Sequence, residues 1–173
     1  MQGYRAKSTM MELGTLASGS VIFALNNLST TRPVSVKRLL AEKGFSGTAA
    51  NSGIEFGVCR ATGTPGGGTG NIAAGANIPK VGAGGPNSFC SIYYGPAAIT
   101  GLSPDAAGDF AQTFLIHQVG QVIPVELIRE DLREKWADEF VLAPSTSLVV
   151  ITRTISVAGS KIALSVEWAE PPV

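Results

Sequence analysis

The chain has one histidine, His117, in "FLIHQVG" among apolar residues. An imidazole acting as a general base needs a nucleophile and an orienting carboxylate within reach, and no G-x-S-x-G or comparable element accompanies this one. His117 therefore reads as a structural residue in a strand. One histidine and two distant cysteines, Cys59 and Cys90, have no ligand spacing characteristic of zinc. Two cysteines in a chain of this size read as reduced core residues, and nothing requires an oxidising compartment. Glu126, Glu130, Asp131, Glu134, Asp138 and Glu139 are close enough in sequence for paired-carboxylate chemistry on a glycoside. Arg129, Arg133 and Lys135 interleave with them, so the segment reads as salt-bridged surface. Trp136 and Trp168 are of a type that stacks on sugar rings, but Trp168 continues the apolar face of its strand and reads as core.

The glycine-rich stretch "TGTPGGGTGNIAAGANIPKVGAGGP", residues 62–86, is the other candidate for chemistry. Gly68, Gly70 and Ala73 fit the loose dinucleotide fingerprint G-x-G-x-x-A, which works only where a helix follows and turns its N-terminal amides toward a pyrophosphate. The residues that follow, "GANIPKVGAGGP", interrupt any helix with Gly and Pro, and no G-K-[ST] triplet supplies a P-loop. No cofactor is implied. Glycines permit unusual backbone angles over a segment whose one charge is Lys80, so the stretch reads as a long surface loop or arm that orders against a neighbouring molecule.

The elements that must position these residues follow from composition and pattern. With 173 residues the chain is one domain by size, able to bury roughly 70% of its unfolded surface. The 13 basic and 13 acidic residues cancel without forming a basic stripe, which argues against a nucleic-acid partner. Charged residues make up 15% of the chain against a usual figure of about 25%, and mean hydropathy is +0.23, so much of the outside is expected to be covered by protein. No stretch reaches the roughly 18 continuous apolar residues needed to span a bilayer, and no membrane partner is expected. The N-terminal "MQGYRAKSTMMELG" has a basic start and no small-residue cleavage site, and reads as an exposed arm, residues 1–14, ahead of a single domain, residues 15–173.

Strand signals dominate that domain. "SGSVIFALNN" is β-branched and aromatic between turn residues; in "RPVSVKRLLAEKGFSG" Val34, Val36 and Arg38 alternate with Ser35, Lys37 and Leu39. "SGIEFGVCRAT" sets Ile54, Phe56 and Val58 against Glu55, Gly57 and Cys59. "NSFCSIYYGPAAITGL" and "DFAQTFLIHQVGQVIPVELI" are rich in β-formers. "SLVVITRTIS" and "KIALSVEWAE" are the clearest strands, joined through "VAGS", with Ile162, Leu164, Val166 and Trp168 forming one apolar face. That last strand is expected to be central. In "VELIREDLREKWADEF" the recurrence of Ile128, Leu132 and Trp136 suits a helix, whereas Pro124 and the following "FVLAPSTSLVV" suit a strand end and a charged loop; both readings stand. Many short strands punctuated by Gly and Pro predict an all-β, two-sheet sandwich of jelly-roll or related topology.

The ending "FVLAPSTSLVVITRTISVAGSKIALSVEWAEPPV" resembles the C-terminus of a family of small β-sandwich virion proteins of tailed bacteriophages and prophages. Phe140 to Pro144, Leu148 to Arg153 and Val166 to Glu170 stand where that family has its "PLVLAP", "GLVIR" and "EWAE" segments. Phe45 to Thr69, "FSGTAANSGIEFGVCRATGTPGGGT", is similar to the family's "GTAA" and "TPxGGT" stretch. Ser145 to Ser147 replace the family's Gly-Glu-Gly, and the N-terminal arm has no counterpart. The resemblance implies a capsid decoration or cement protein, not an enzyme, made in the bacterial host cytoplasm and carried on the virion surface. Its partners would be the major capsid protein, other virion proteins and copies of itself in a closed homotrimer. Contact is expected through the arm, at Tyr4, Arg5, Lys7 and Met10, and through the glycine-rich stretch, at Thr64, Asn71, Ile78 and Lys80. An arm of this kind should be removable, residues 1–12, without unfolding the domain. The alternative is a receptor- or carbohydrate-binding module, or another accessory subunit, of a phage tail, fibre or spike; a hydrolase is the third reading.

Overall fold

The computed structural model describes residues 1–14, 16–45, 52–75, 77–82, 84–95, 99–105, 111–117, 128–131, 140–154 and 159–172. These residues form strands β1 (Gln2–Lys7), β2 (Met11–Glu12), β3 (Val21–Asn27), β4 (Val34–Phe45), β5 (Ser52–Gly67), β6 (Gly70–Ile72) and β7 (Lys80–Val81). They continue with β8 (Cys90–Tyr94), β9 (Ile99–Pro104), β10 (Ala111–His117), β11 (Ile128–Asp131), β12 (Phe140–Leu142), β13 (Ser147–Thr152) and β14 (Ser160–Glu170). Among the described residues no helix is long and apolar enough to cross a membrane.

The strands build two antiparallel sheets. Sheet A runs β11-β4-β14-β1-β7, with β12 continuing the β11 edge of β4 and β2 continuing the β1 edge of β14; sheet B runs β10-β5-β13-β3-β8-β6, with β9 beside β5. The chain crosses between the sheets from β1 to β3, to β4 and to β5. Near its end it crosses again, so that β13 is central in sheet B and β14 central in sheet A. Two interlocked Greek keys of this order make a jelly roll. β6, β7 and β8 are additions to it, extending the edges that β1 and β3 would otherwise leave open.

Alternation along each strand places the core. Tyr4, Ala6, Val36, Leu39, Leu164, Val166 and Trp168 from sheet A meet Ile22, Phe23, Phe56, Val58, Leu148 and Val150 from sheet B in one cluster. Tyr4 and Trp168 stack with ring centroids 5.8 Å apart. Trp168 is thus core, as its strand pattern predicts, and β14 occupies the central place expected of it. Ile128–Asp131 is strand, so the helical reading fails over those residues: hydrogen bonding to Lys43–Leu40 of β4 outweighs a four-residue recurrence. Trp136 and residues 132–139 lie outside the described residues.

Two expectations are corrected. Residues 1–14 do not stand apart from the sandwich. β1 pairs with β14 from Gln2↔Glu170 to Lys7↔Ser165, Tyr4 is wholly buried, and Met11 and Leu13 are core residues. The strict alternation read in "VSVKRLL" also fails, because the pairing of β4 with β14 slips between Glu167 and Trp168. That β-bulge leaves Val36 and Leu39 both in the core and turns Lys37 and Arg38, between them, both outward.

Candidate functional site

Residues 62–86 are stitched to the chain's own sheets. Residues 62–67 are the end of β5, and Gly68 and Thr69 alone separate β5 from β6, although the two strands lie at opposite ends of the run β5-β13-β3-β8-β6. The sheet must curl to bring them together. Inside the curl is a second apolar cluster, Val21, Ala24, Cys59, Ala61, Ile99, Val149 and Ile151, with Tyr93 and Leu102 packed on it. Glycine is required where β5 and β9 touch: a Cβ on Gly63 would strike the Gly101 carbonyl oxygen, and one on Gly101 would strike that of Thr64. Both residues also have positive φ, 104° and 76°.

Further along, Ile78 is buried in the main core, the Arg5 N–H donates to the Pro79 carbonyl at 3.1 Å, and β7 pairs with Gly3 and Tyr4. The Lys80 ammonium donates to the Gly85 carbonyl at 2.8 Å and the Tyr4 hydroxyl to the Pro86 carbonyl at 2.8 Å. The segment ends at Glu170, whose buried carboxylate accepts from the Ser88 hydroxyl at 2.6 Å, the Trp168 indole N–H at 2.9 Å and the Phe89 N–H at 3.2 Å. The stretch expected to order against a neighbour instead orders against β1 and β14, because its own apolar and hydrogen-bonding groups find partners there. Among the described residues no helix follows Ala73.

The same surroundings govern two titrating groups. Burial pushes the Cys90 thiol far up from its ordinary 9.0, with the Glu170 charge adding to it. Burial, then Glu170 and Cys90, raise the Tyr4 phenol above 10.0, against a smaller opposing effect of Arg32. A thiol held protonated this way is a poor nucleophile. Cys59 is likewise buried, and neither cysteine is in a disulfide.

The contact residues expected from sequence are not brought to one surface. Arg5 and Lys7 are exposed on the outer face of sheet A, Met10 is exposed between β1 and β2, and Thr64 and Asn71 are exposed on sheet B. Tyr4 and Ile78 are interior, which removes them as contacts. His117 lies in β10, and Glu130 and Asp131 in β11; Glu126, Glu134, Asp138 and Glu139 fall outside the described residues. Among the described residues no three His, Cys, Asp or Glu side chains come together as metal ligands.

What the structure does assemble is a two-row patch on the outer face of sheet A. Arg5, Glu167 and Arg38 lie opposite one another across β1, β14 and β4, and Lys7, Ser165 and Leu40 form the next row. Ser165 is the small member of the group, so longer neighbours wall a depression of about 370 Å³ lined by Arg5, Lys7, Arg38, Leu40, Pro79, Ser165 and Glu167. Lys7 bonds Glu42 at 2.6 Å beside it. Of these, sequence reasoning picked out Arg5 and Lys7 but missed Arg38, Ser165 and Glu167. The polar half of β14's alternation was the available signal for the last two. Comparison with protein-family models, curated proteins and solved structures finds no match in any of the three.

Proposed function

We propose that the chain is a structural subunit of a tailed-phage virion, a decoration protein that binds the outside of the head and stabilises it, assembling as a trimer. The observation that carries this reading is the strand order. Jelly rolls are a recurring architecture of viral capsid domains, and β12, β13 and β14 fall on the segment that resembles phage virion proteins. A sandwich whose long glycine-rich segment is fastened down by hydrogen bonds to its own strands suits a subunit that must hold its shape on a lattice. The major capsid protein is the partner this reading requires.

The alternative of a carbohydrate-binding module on a tail, fibre or spike loses one of its two aromatic platforms, because Trp168 is 1% exposed and stacked on Tyr4. Tryptic mass spectrometry of density-gradient-purified particles separates the readings when heads and tails are fractionated. Peptides of this chain are expected in the head fraction at lattice stoichiometry, and heads lacking it should rupture at lower temperature. Peptides confined to tails would replace the head assignment with the fibre or spike one, and their absence from both would end the virion reading.

A further inference from the structure

We infer that the outer face of sheet A is the docking face, and that it takes an acidic protein surface whose carboxylate side chain enters the depression floored by Ser165. The inference rests on the virion reading for the partner's identity, the head lattice.

The two outer faces differ. On sheet B the curl of β5 and β9 closes over the sheet, leaving Ala24, Cys59 and Val149 without solvent exposure. At one end of sheet A's outer face Val81, Gly3, Ala169, Ser35 and Val141 form a row across β7, β1, β14, β4 and β12, with Ala169 and Ser35 buried in its middle and its two ends exposed. Val81 is 54% exposed and Val141 43%. Met1, 82% exposed, lines a small apolar hollow with Pro33, Val141, Ala169 and Pro171. Three of the five large apolar side chains exposed among the described residues, Met1, Val81 and Val141, therefore gather at one end of one face.

Beside that strip the described charges are mixed with cations in excess, Lys7 and Lys161 being paired with Glu42 and Glu12. The described outward side chains of sheet A include Arg5, Lys7, Lys37, Arg38 and Lys161 against Glu12, Glu42 and Glu167, although the whole chain balances 13 against 13. The bulge adds a cation to this face by turning Lys37 out beside Arg38. A face that is apolar at one end and cationic around a concavity complements an acidic surface with an apolar spot. A second copy in its place would set one cationic excess against another. Within the depression, Arg5 and Arg38 stand on either side of Glu167 and, as fork donors, have N–H groups for a further carboxylate, with the Ser165 hydroxyl alongside and Lys7 held by Glu42.

The test uses the full chain with two probes: heads from phage lacking the gene, and immobilised poly-L-glutamate. Wild type should bind both, more weakly as salt rises. The double variant Arg5→Glu, Arg38→Glu should lose about 100-fold in affinity for both, since like charges placed opposite one another cost several kcal/mol. Val141→Asp should weaken head binding alone, and Thr64→Glu with Asn71→Asp, on sheet B, should change neither. Lys37→Glu is a second charge reversal should the double variant fail to fold. Binding of heads that ignores all the sheet A changes, or that is lost with the sheet B pair, would overturn the docking face while leaving the virion reading intact. Arginine-dependent binding to poly-L-glutamate without binding to heads would sustain the acidic docking face and sink the head assignment. Failure on both probes would end both.

Discussion

The buried Glu170 carboxylate accepts hydrogen bonds from Ser88, Phe89 and Trp168. Glu170→Ala should therefore cost about 3 kcal/mol in urea unfolding, the desolvation of donors left without an acceptor. It should also free the end of the glycine-rich segment to proteolysis. Cys90 sets a pH dependence nearby. Its folded-state proton is held above the ordinary 9.0, so the stability tied to that proton is complete below pH 9 and is lost as pH rises beyond it. The unfolding free energy from urea titration should be level from pH 7 to 8 and, beyond pH 9, approach a limiting fall of about 1.4 kcal/mol per pH unit. Cys90→Ala should remove most of that slope, leaving the share that Tyr4 contributes. Two further substitutions should have opposite signs. Ser145 holds φ at 57° with an exposed side chain in the turn before β13, so Ser145→Gly should raise stability by about 0.5–1 kcal/mol. Gly101→Ala should lower it, because the added methyl meets the Thr64 carbonyl.

β1 changes what an N-terminal deletion should do. Removing residues 1–12 takes Tyr4, Ala6 and Met11 from the core, with the larger two worth about 2 kcal/mol or more each, out of a total stability of about 5–15 kcal/mol. It also strips one edge of β14. The truncated chain should be unfolded or aggregated by circular dichroism, and a folded, two-state truncation would show that β1 is dispensable. The reasons for the misreading are physical. "GYRAK" has the alternation of a half-buried strand, but Gly, Arg and Lys at three of its five positions hide it, and its burial depends on β14, more than 150 residues away in the chain. β14 was legible because four consecutive alternate positions are apolar and long. The bulge in β4 was not, since one extra residue is invisible until a partner strand sets the register. The glycine-rich segment looks like a loop in sequence because period-two patterning disappears where glycines, needed for close backbone approach at Gly63, occupy strand positions.

At the level of the whole molecule, the all-β sandwich was readable from strand signals, whereas the jelly-roll order was not, because alternation identifies a strand's faces and not its neighbours. The pairing of β14 with β1 and of β13 with β3 joins opposite ends of the chain, and local sequence does not encode it. Such order matters because it sets the cation-rich rows of β1, β14 and β4 on the outside of sheet A, while the curl of sheet B buries Ala24, Cys59 and Val149. Light scattering at low and physiological salt should give the mass of a trimer at both, if the subunits join by an apolar interface distinct from the cationic face. A monomer would mean that assembly is imposed by the lattice. The most direct measurement is a reconstruction by electron cryomicroscopy of the virion to which the proposed function assigns the chain. The account predicts jelly-roll density on the outside of the head, with the outer face of sheet A, Arg5 and Arg38 included, turned toward the capsid shell. Density with sheet B against the shell, or a head surface bare of this subunit, would contradict it.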